Sequence, residues 1–127
     1  MRHCRLSAAL VVMLSSAGHA QTQAPPSVPL GQARPQTPGV TRTTIRDDAK
    51  STVTRVRFAP GAVEPPHTHP YDVIIVSTAN GTVDLGVGDK KITSLKIGEV
   101  QFIPREVDHH LTNTGAQPFA LIAIGVK

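Results

Sequence analysis

The stretch Gly61-Ala62-Val63-Glu64-Pro65-Pro66-His67-Thr68-His69, answered forty residues later by His109, decides how this chain is read. Successive side chains on a β-strand point to opposite faces, so His67 and His69 project to one side. His109 has to reach the same point from another strand. Three imidazoles arranged in this way have the spacing of ligands for one metal inside a small β-barrel, and imidazole suits Zn, Cu, Fe or Ni. The spacing predicts a site and says much less about a substrate.

Outward from this stretch the pattern is β. Thr52–Phe58 is rich in β-branched residues, Val73–Thr78 is a nearly continuous apolar run, and Thr82–Val87 alternates Val83, Leu85 and Val87 with Asp84 and Gly86. Further short strands are expected at Ile92–Ile97, Val100–Ile103, His109–Asn113 and Phe119–Val126, separated by turn signals such as Pro60-Gly61, Asn80-Gly81, Gly88-Asp89 and Thr114-Gly115. No stretch has sustained helical spacing. Seven short strands with regular punctuation predict an all-β sandwich or barrel, and 127 residues give room for a single domain with one core. With no Trp, three Phe and one Tyr, that core is built from Val, Ile, Leu and Ala. The final run is apolar on both parities except at Gly125, which predicts a strand covered on both faces.

The formal charge of +4 includes Arg2 and Arg5 at the extreme N-terminus, and without them 11 Lys and Arg face 9 Asp and Glu. So small and scattered an excess is no nucleic-acid footprint, so no nucleic-acid partner is expected. Residues 1–20 read as a signal peptide: a basic start, an apolar run from Leu6 to Leu14, and small residues at Gly18 and Ala20 before a cut. The other reading is an N-terminal amphipathic helix. The run is too short to span a bilayer, so no membrane segment is expected after cleavage, and the mature protein is expected to be periplasmic or secreted. Cys4 lies before the cut and is the one cysteine. The mature chain would then have neither disulfides nor thiolate ligands, leaving histidine and carboxylate for a metal. Residues 21–41 hold five prolines (Pro25, Pro26, Pro29, Pro35 and Pro38) among polar residues and read as a Pro-rich linker or loosely attached arm, or as an edge strand given to a partner subunit. Residues 42–127 are the expected barrel.

The residues resemble the cupins, small double-stranded β-helix (jelly-roll) barrels whose first motif is G-x5-H-x-H-x3 or x4-E-x6-G and whose second is G-x5-P-x-G-x2-H-x3-N. Gly61 is followed after five residues by His67, Thr68 and His69, and Gly81 closes that motif. Gly98 is followed after five residues by Pro104, then by His109 and, after three more, Asn113. The resemblance covers roughly Thr41 to Lys127. It implies a cupin barrel in which His67, His69 and His109 hold a divalent transition metal (Zn, Cu, Fe, Mn or Ni), with positions left for water or substrate.

The sequence departs from the pattern twice. The motif's glutamate falls at Val73 or Ile74, which cannot bind a metal, and Asp72 is one residue short; whether Asp72 is a fourth ligand stays open. Glu106 stands where the second motif has glycine, and solvent exposure is the expected place for its side chain. His110 is expected on the opposite face of its strand from His109, Asn113 in turn hydrogen bonds, and Gly61, Gly81 and Gly98 at backbone-permissive corners. Tyr71, Asp72 and Glu64 are candidates for the pocket rim, and Arg55 and Arg57 share one face of a strand, expected to be the outer one. Three functions compete: a small exported metalloenzyme of oxygenase, isomerase or lyase type acting on a small oxygen-rich molecule; a non-catalytic module that binds a metal or small ligand in the periplasm; and a structural barrel with a vestigial motif. A small-molecule partner fits the first two, and pairing into a homodimer is open.

Overall fold

A computed structural model of the chain describes residues 23–30 and 37–127, so the predicted signal peptide lies outside the described residues. Nine strands run β1 (Val40–Asp47), β2 (Ser51–Phe58), β3 (Val63–His67), β4 (Asp72–Ser77), β5 (Gly81–Val87), β6 (Lys90–Leu95), β7 (Val100–Ile103), β8 (His109–Asn113) and β9 (Phe119–Val126). Among the described residues there is no helix. The strands form two antiparallel sheets, one of five in the order β1-β2-β9-β4-β7 and one of four in the order β3-β8-β5-β6. This is the expected all-β jelly roll.

Alternation along each strand builds the core between the sheets. In β2 the inward residues are Thr52, Thr54, Val56 and Phe58, in β4 Val73, Ile75 and Ser77, and in β9 Phe119, Leu121 and Ala123, all buried. The smaller sheet answers with Val83, Leu85, Leu95 and Leu111. The other face of β9 does not follow the expectation of a strand covered twice. Ile122 and Ile124 are only half-buried, because among the described residues the five-stranded sheet is one layer thick there.

Two strands, β1 and β3, were not expected as such. β1 pairs only with β2, so as an edge strand it buries one residue, Val40, and its sequence VTRTTIRD has no apolar alternation to read. Asp48 closes its turn into β2, its carboxylate accepting the N–H groups of Lys50 and Ser51 at 2.9 Å each. Those bonds, with Arg46 beside them, hold its pKa at about 2, below the ordinary 3.8. β3 is also an edge strand, paired only with β8, and contains both Pro65 and Pro66. Proline cannot donate to a ladder and is tolerated at edges and bulges. The register with β8 shifts here: Glu64 faces Leu111, yet His67 faces His109, so β3 holds one more residue than its partner over that span. The extra residue puts Glu64 and His67, three apart, on the same buried face.

Asn113 locks the end of β8. Its side chain is wholly buried; Nδ2 donates to the carbonyls of Phe58 at 3.2 Å and Gln117 at 2.8 Å, and Oδ1 accepts the Gly115 N–H at 3.1 Å. Gly61 and Gly98 have positive φ, as expected of corners. Gly81 is glycine for another reason: the Phe119 ring lies 2.4 Å from where a Cβ would stand. Replacing Asn113 by Ala removes the side-chain partner of the Phe58 and Gln117 carbonyls and of the Gly115 N–H, which keeps its bond to Thr82, at about 1–3 kcal/mol for each group left buried and unpaired. We expect Asn113→Ala to lower stability by about 2–4 kcal/mol in urea unfolding, and a loss below about 0.5 kcal/mol would mean that these bonds are not what holds the turn.

Candidate metal centre

His67 ends β3 and His109 begins β8, directly paired across the ladder, while His69 follows β3 by two residues. All three rings are buried, with ring-centre separations of 4.1 Å between His67 and His109, 4.7 Å between His67 and His69, and 4.8 Å between His69 and His109. One metal-binding atom from each lies within 4.8 Å of the others, and no cysteine, aspartate or glutamate joins this group among the described residues. For metal–nitrogen bonds of about 2.0–2.1 Å in a tetrahedral set, donor nitrogens stand about 3.3 Å apart. The three donors therefore stand within about 1.5 Å of the spacing that coordination requires.

The ring hydrogen bonds test whether these residues suit a metal. His67 Nδ1 lies 2.9 Å from the carbonyl of Pro65, and His109 Nδ1 lies 3.0 Å from that of Val107. His69 Nδ1 contacts the carbonyl of Val28. A carbonyl only accepts, so each Nδ1 carries a proton, and in the neutral form of the ring that leaves the lone pair on Nε2. A histidine ligand has this tautomer, with its second nitrogen anchored to a carbonyl or carboxylate. The donor set fits a divalent transition metal.

The rings open on a cavity of about 60 Å³ between the sheets, lined mostly by aliphatic and aromatic side chains such as Val56, Phe58, Val73 and Leu121. One water needs about 10–15 Å³ by this kind of measure, so the space admits a few water-sized groups. Among the described residues Glu64 is the one carboxylate on its wall. It is buried, lies 3.8 Å from His67 Nδ1, and is hydrogen-bonded to the guanidinium of Arg42 on β1. Neither the pairing with Arg42 nor the inward aim of Glu64 was readable from the chain, because both depend on the bulge at Pro65-Pro66 and on an edge strand without a pattern.

Other candidates are placed elsewhere. Val73 occupies the inward position where a motif glutamate would reach the cavity, and Ile74 faces outward. Asp72 accepts the backbone N–H of Arg105 at 2.8 Å and so ties β4 to the turn before β8 rather than joining the histidines. His110 faces away from the site, its ring over Gly86 and its Nε2 3.7 Å from Asp84. Arg55 and Arg57 are exposed on β2. Tyr71 is buried, its ring parallel to that of His69 with centres 6.3 Å apart, and its hydroxyl accepts from the N–H of Leu30. Glu106 is exposed, as expected, but its carboxylate is bound by Ser27 at 3.0 Å and Thr68 at 2.9 Å.

The Cupin domain family model matches residues 54–125, more than half of the chain. Germin-like protein subfamily 2 member 1 of Arabidopsis thaliana is 39% identical over 75 residues, covering 56% of this chain and 34% of that protein. Nectarin-1 of Nicotiana plumbaginifolia is 36% identical over 76 residues, covering 54% and 32%. The chain thus spans about a third of the length of the curated relatives it matches. A cupin domain from Bordetella pertussis superposes with a TM-score of 0.63 at 27% identity, covering 74% of this chain and 99% of that one. KdgF from a Halomonas species shares the fold, with a TM-score of 0.62 at 20% identity, covering 74% and 84%.

The part-buried Arg42–Glu64 pair shapes this wall, and removing one member leaves the other charge, on the Glu64 side buried, without this partner. A double-mutant cycle over Arg42→Met and Glu64→Gln should give a coupling of about 1–3 kcal/mol in denaturant unfolding. Additive effects would show that the two side chains do not stabilise each other.

Proposed function

This chain belongs to the cupin domain family, and we propose that it is an exported cupin that holds one divalent transition metal on His67, His69 and His109 and acts there on a small oxygen-rich molecule. The observation that carries this reading is the triple Nδ1 anchoring, which prepares three buried imidazoles for one cation. A set of three protein ligands keeps coordination positions for water or substrate, as catalytic sites do and closed structural sites do not. That favours an enzyme of oxygenase, isomerase or lyase type.

When bound, the metal supplies Lewis acidity to an oxygen of the ligand. The chain's residues do the rest. The apolar walls exclude water and strengthen every charge interaction inside. Glu64, held from behind by Arg42, offers a hydrogen-bond acceptor beside His67 to a ligand hydroxyl. The cavity volume favours ligands of a few heavy atoms. A non-catalytic binding module is the second reading, supported by the small number of polar groups on the cavity wall, and turnover separates the two. Export rests on the basic, apolar and small-residue succession of residues 1–20, with the Pro-rich stretch from residue 21 leading to β1 at Val40.

The chain also pairs with a second copy of itself through the outer face of the five-stranded sheet. Across that face Val53, Ile124, Ile74 and Phe102 form one row, with Ile122, Val76 and Val100 beside them. Phe102 is 55% and Val100 57% exposed. Strands about 4.8 Å apart, from about 14 Å long in β7 to about 27 Å in β1, β2 and β9, present roughly 550 Å², which is below the roughly 800 Å² per partner of a standard interface and within the range of a smaller one. Arg55 and Arg57, with Thr41 and Thr43 alongside, supply a polar rim.

Purified mature protein is expected to contain close to one transition-metal ion per chain by elemental analysis. His67→Ala and His109→Ala should abolish binding while Asp72→Asn leaves it intact; full occupancy in both histidine variants would refute the site. In sedimentation the wild type is expected as a dimer and Ile124→Lys as a monomer. A monomeric wild type at high micromolar concentration would remove the proposed pairing.

A further inference from the structure

Two of the three site histidines find their Nδ1 acceptor two residues back in the chain, at Pro65 and Val107. His69 does not: its acceptor is the carbonyl of Val28, 41 residues away, in the segment before the barrel. From this contrast we infer that the segment Pro26–Leu30, held by Glu106, is a positioning part of the metal site, so that its docking and metal binding reinforce each other. The inference rests on the reading of the three histidines as ligands.

The docking is built from several independent contacts. Thr68, between the two histidines of the first motif, donates its N–H to Pro26 at 2.9 Å and accepts that of Val28 at 2.8 Å, which makes a short parallel bridge. Leu30, 6% exposed, lines the cavity beside the histidines. Its N–H donates to the Tyr71 hydroxyl, and the Tyr71 ring lies flat against Gly125, with no room for a Cβ there.

Glu106 is what the docking and the site share. Its N–H donates to the carbonyl of His69 at 2.9 Å, while its carboxylate accepts Thr68 Oγ1 at 2.9 Å and Ser27 Oγ at 3.0 Å. Among the described residues it is the one non-glycine with positive φ, 56°. That conformation is disfavoured for glutamate and suits the glycine of the motif. The residue therefore works against its own turn, and what its side chain returns is contact with Ser27 and Thr68. Because the Val28 carbonyl favours a proton on Nδ1 of His69, it favours the lone pair on Nε2, the atom that binds metal. By reciprocity, metal on His69 must favour the docked segment to the same degree.

Glu106→Gly in the full chain separates the two roles of this position, since glycine relaxes the turn and removes the carboxylate. A merely structural role predicts unchanged zinc affinity and equal or higher thermal stability. The positioning role predicts equal or higher thermal stability of the barrel together with about a tenfold loss of zinc affinity, the low end for groups that orient a metal ligand. It also predicts faster amide exchange at Val28 and Thr68. Val28→Pro, which deletes the N–H bonded to Thr68, should reproduce the affinity loss. In zinc-free protein, nitrogen NMR of His69 should show the Nδ1–H tautomer in the wild type and a loss of that bias in both variants. Zinc affinity and His69 tautomer unchanged in both variants would overturn the inference. A wild type that binds none of zinc, copper, iron, manganese and nickel would overturn the metal reading instead, and the tautomer and exchange measurements would still decide whether the segment positions His69.

Discussion

Three imidazole rings can share one small buried space only if each ring N–H has an acceptor, since an unsatisfied buried donor costs about 1–3 kcal/mol. Backbone carbonyls meet that requirement, and they do so in a way that determines chemistry: an acceptor at Nδ1 fixes the tautomer and leaves Nε2 as the basic atom on every ring. The fold is arranged around this. The direct pairing of His67 with His109 brings two rings together from adjacent strands, and the turn after β3 brings the third. The apolar walls of the cavity then set how strongly any charge placed there is felt.

The parts of this structure legible in the sequence are those governed by a two-residue period over a half-buried sheet. Strands β2, β4, β5, β7, β8 and β9 declare themselves by β-branched runs or alternation, and β7, β8 and β9 begin and end where expected. The histidines and Asn113 were legible because their spacing is imposed by the barrel's corners. β1 was not, because an edge strand with one buried residue needs no alternation. β3 was hidden by its two prolines, which forbid a regular ladder but permit an edge with a bulge. Glu64 could not be aimed without that bulge. Gly81 was assigned to backbone freedom and is held instead by the Phe119 ring, a contact between residues far apart in sequence that no local pattern encodes.

The carboxylate chemistry of the cavity differs from the motif that the histidines follow. Where a glutamate would stand on β4, Val73 packs into the core at 1% exposure, so that wall of the cavity is apolar. The acid that does face the space comes from the opposite sheet, on β3, and is charge-paired with a strand from the first sheet. The pair links β1 to β3 across the edge of the two sheets, so a residue near the site also holds an otherwise lightly buried strand in place.

The additional residue in β3 bears on which changes of chain length this segment tolerates. Pro65 and Pro66 are exposed and contribute no inward side chain, so many residues would serve at either place. Their number is another matter. Deleting one would restore an even ladder in which Glu64, then two residues before His67, still faces inward, while the local bend that the bulge gives β3 would be lost. In evolution or engineering, this segment is therefore open to substitution, and what its extra residue contributes is a bend at the sheet edge just before the turn that carries His69.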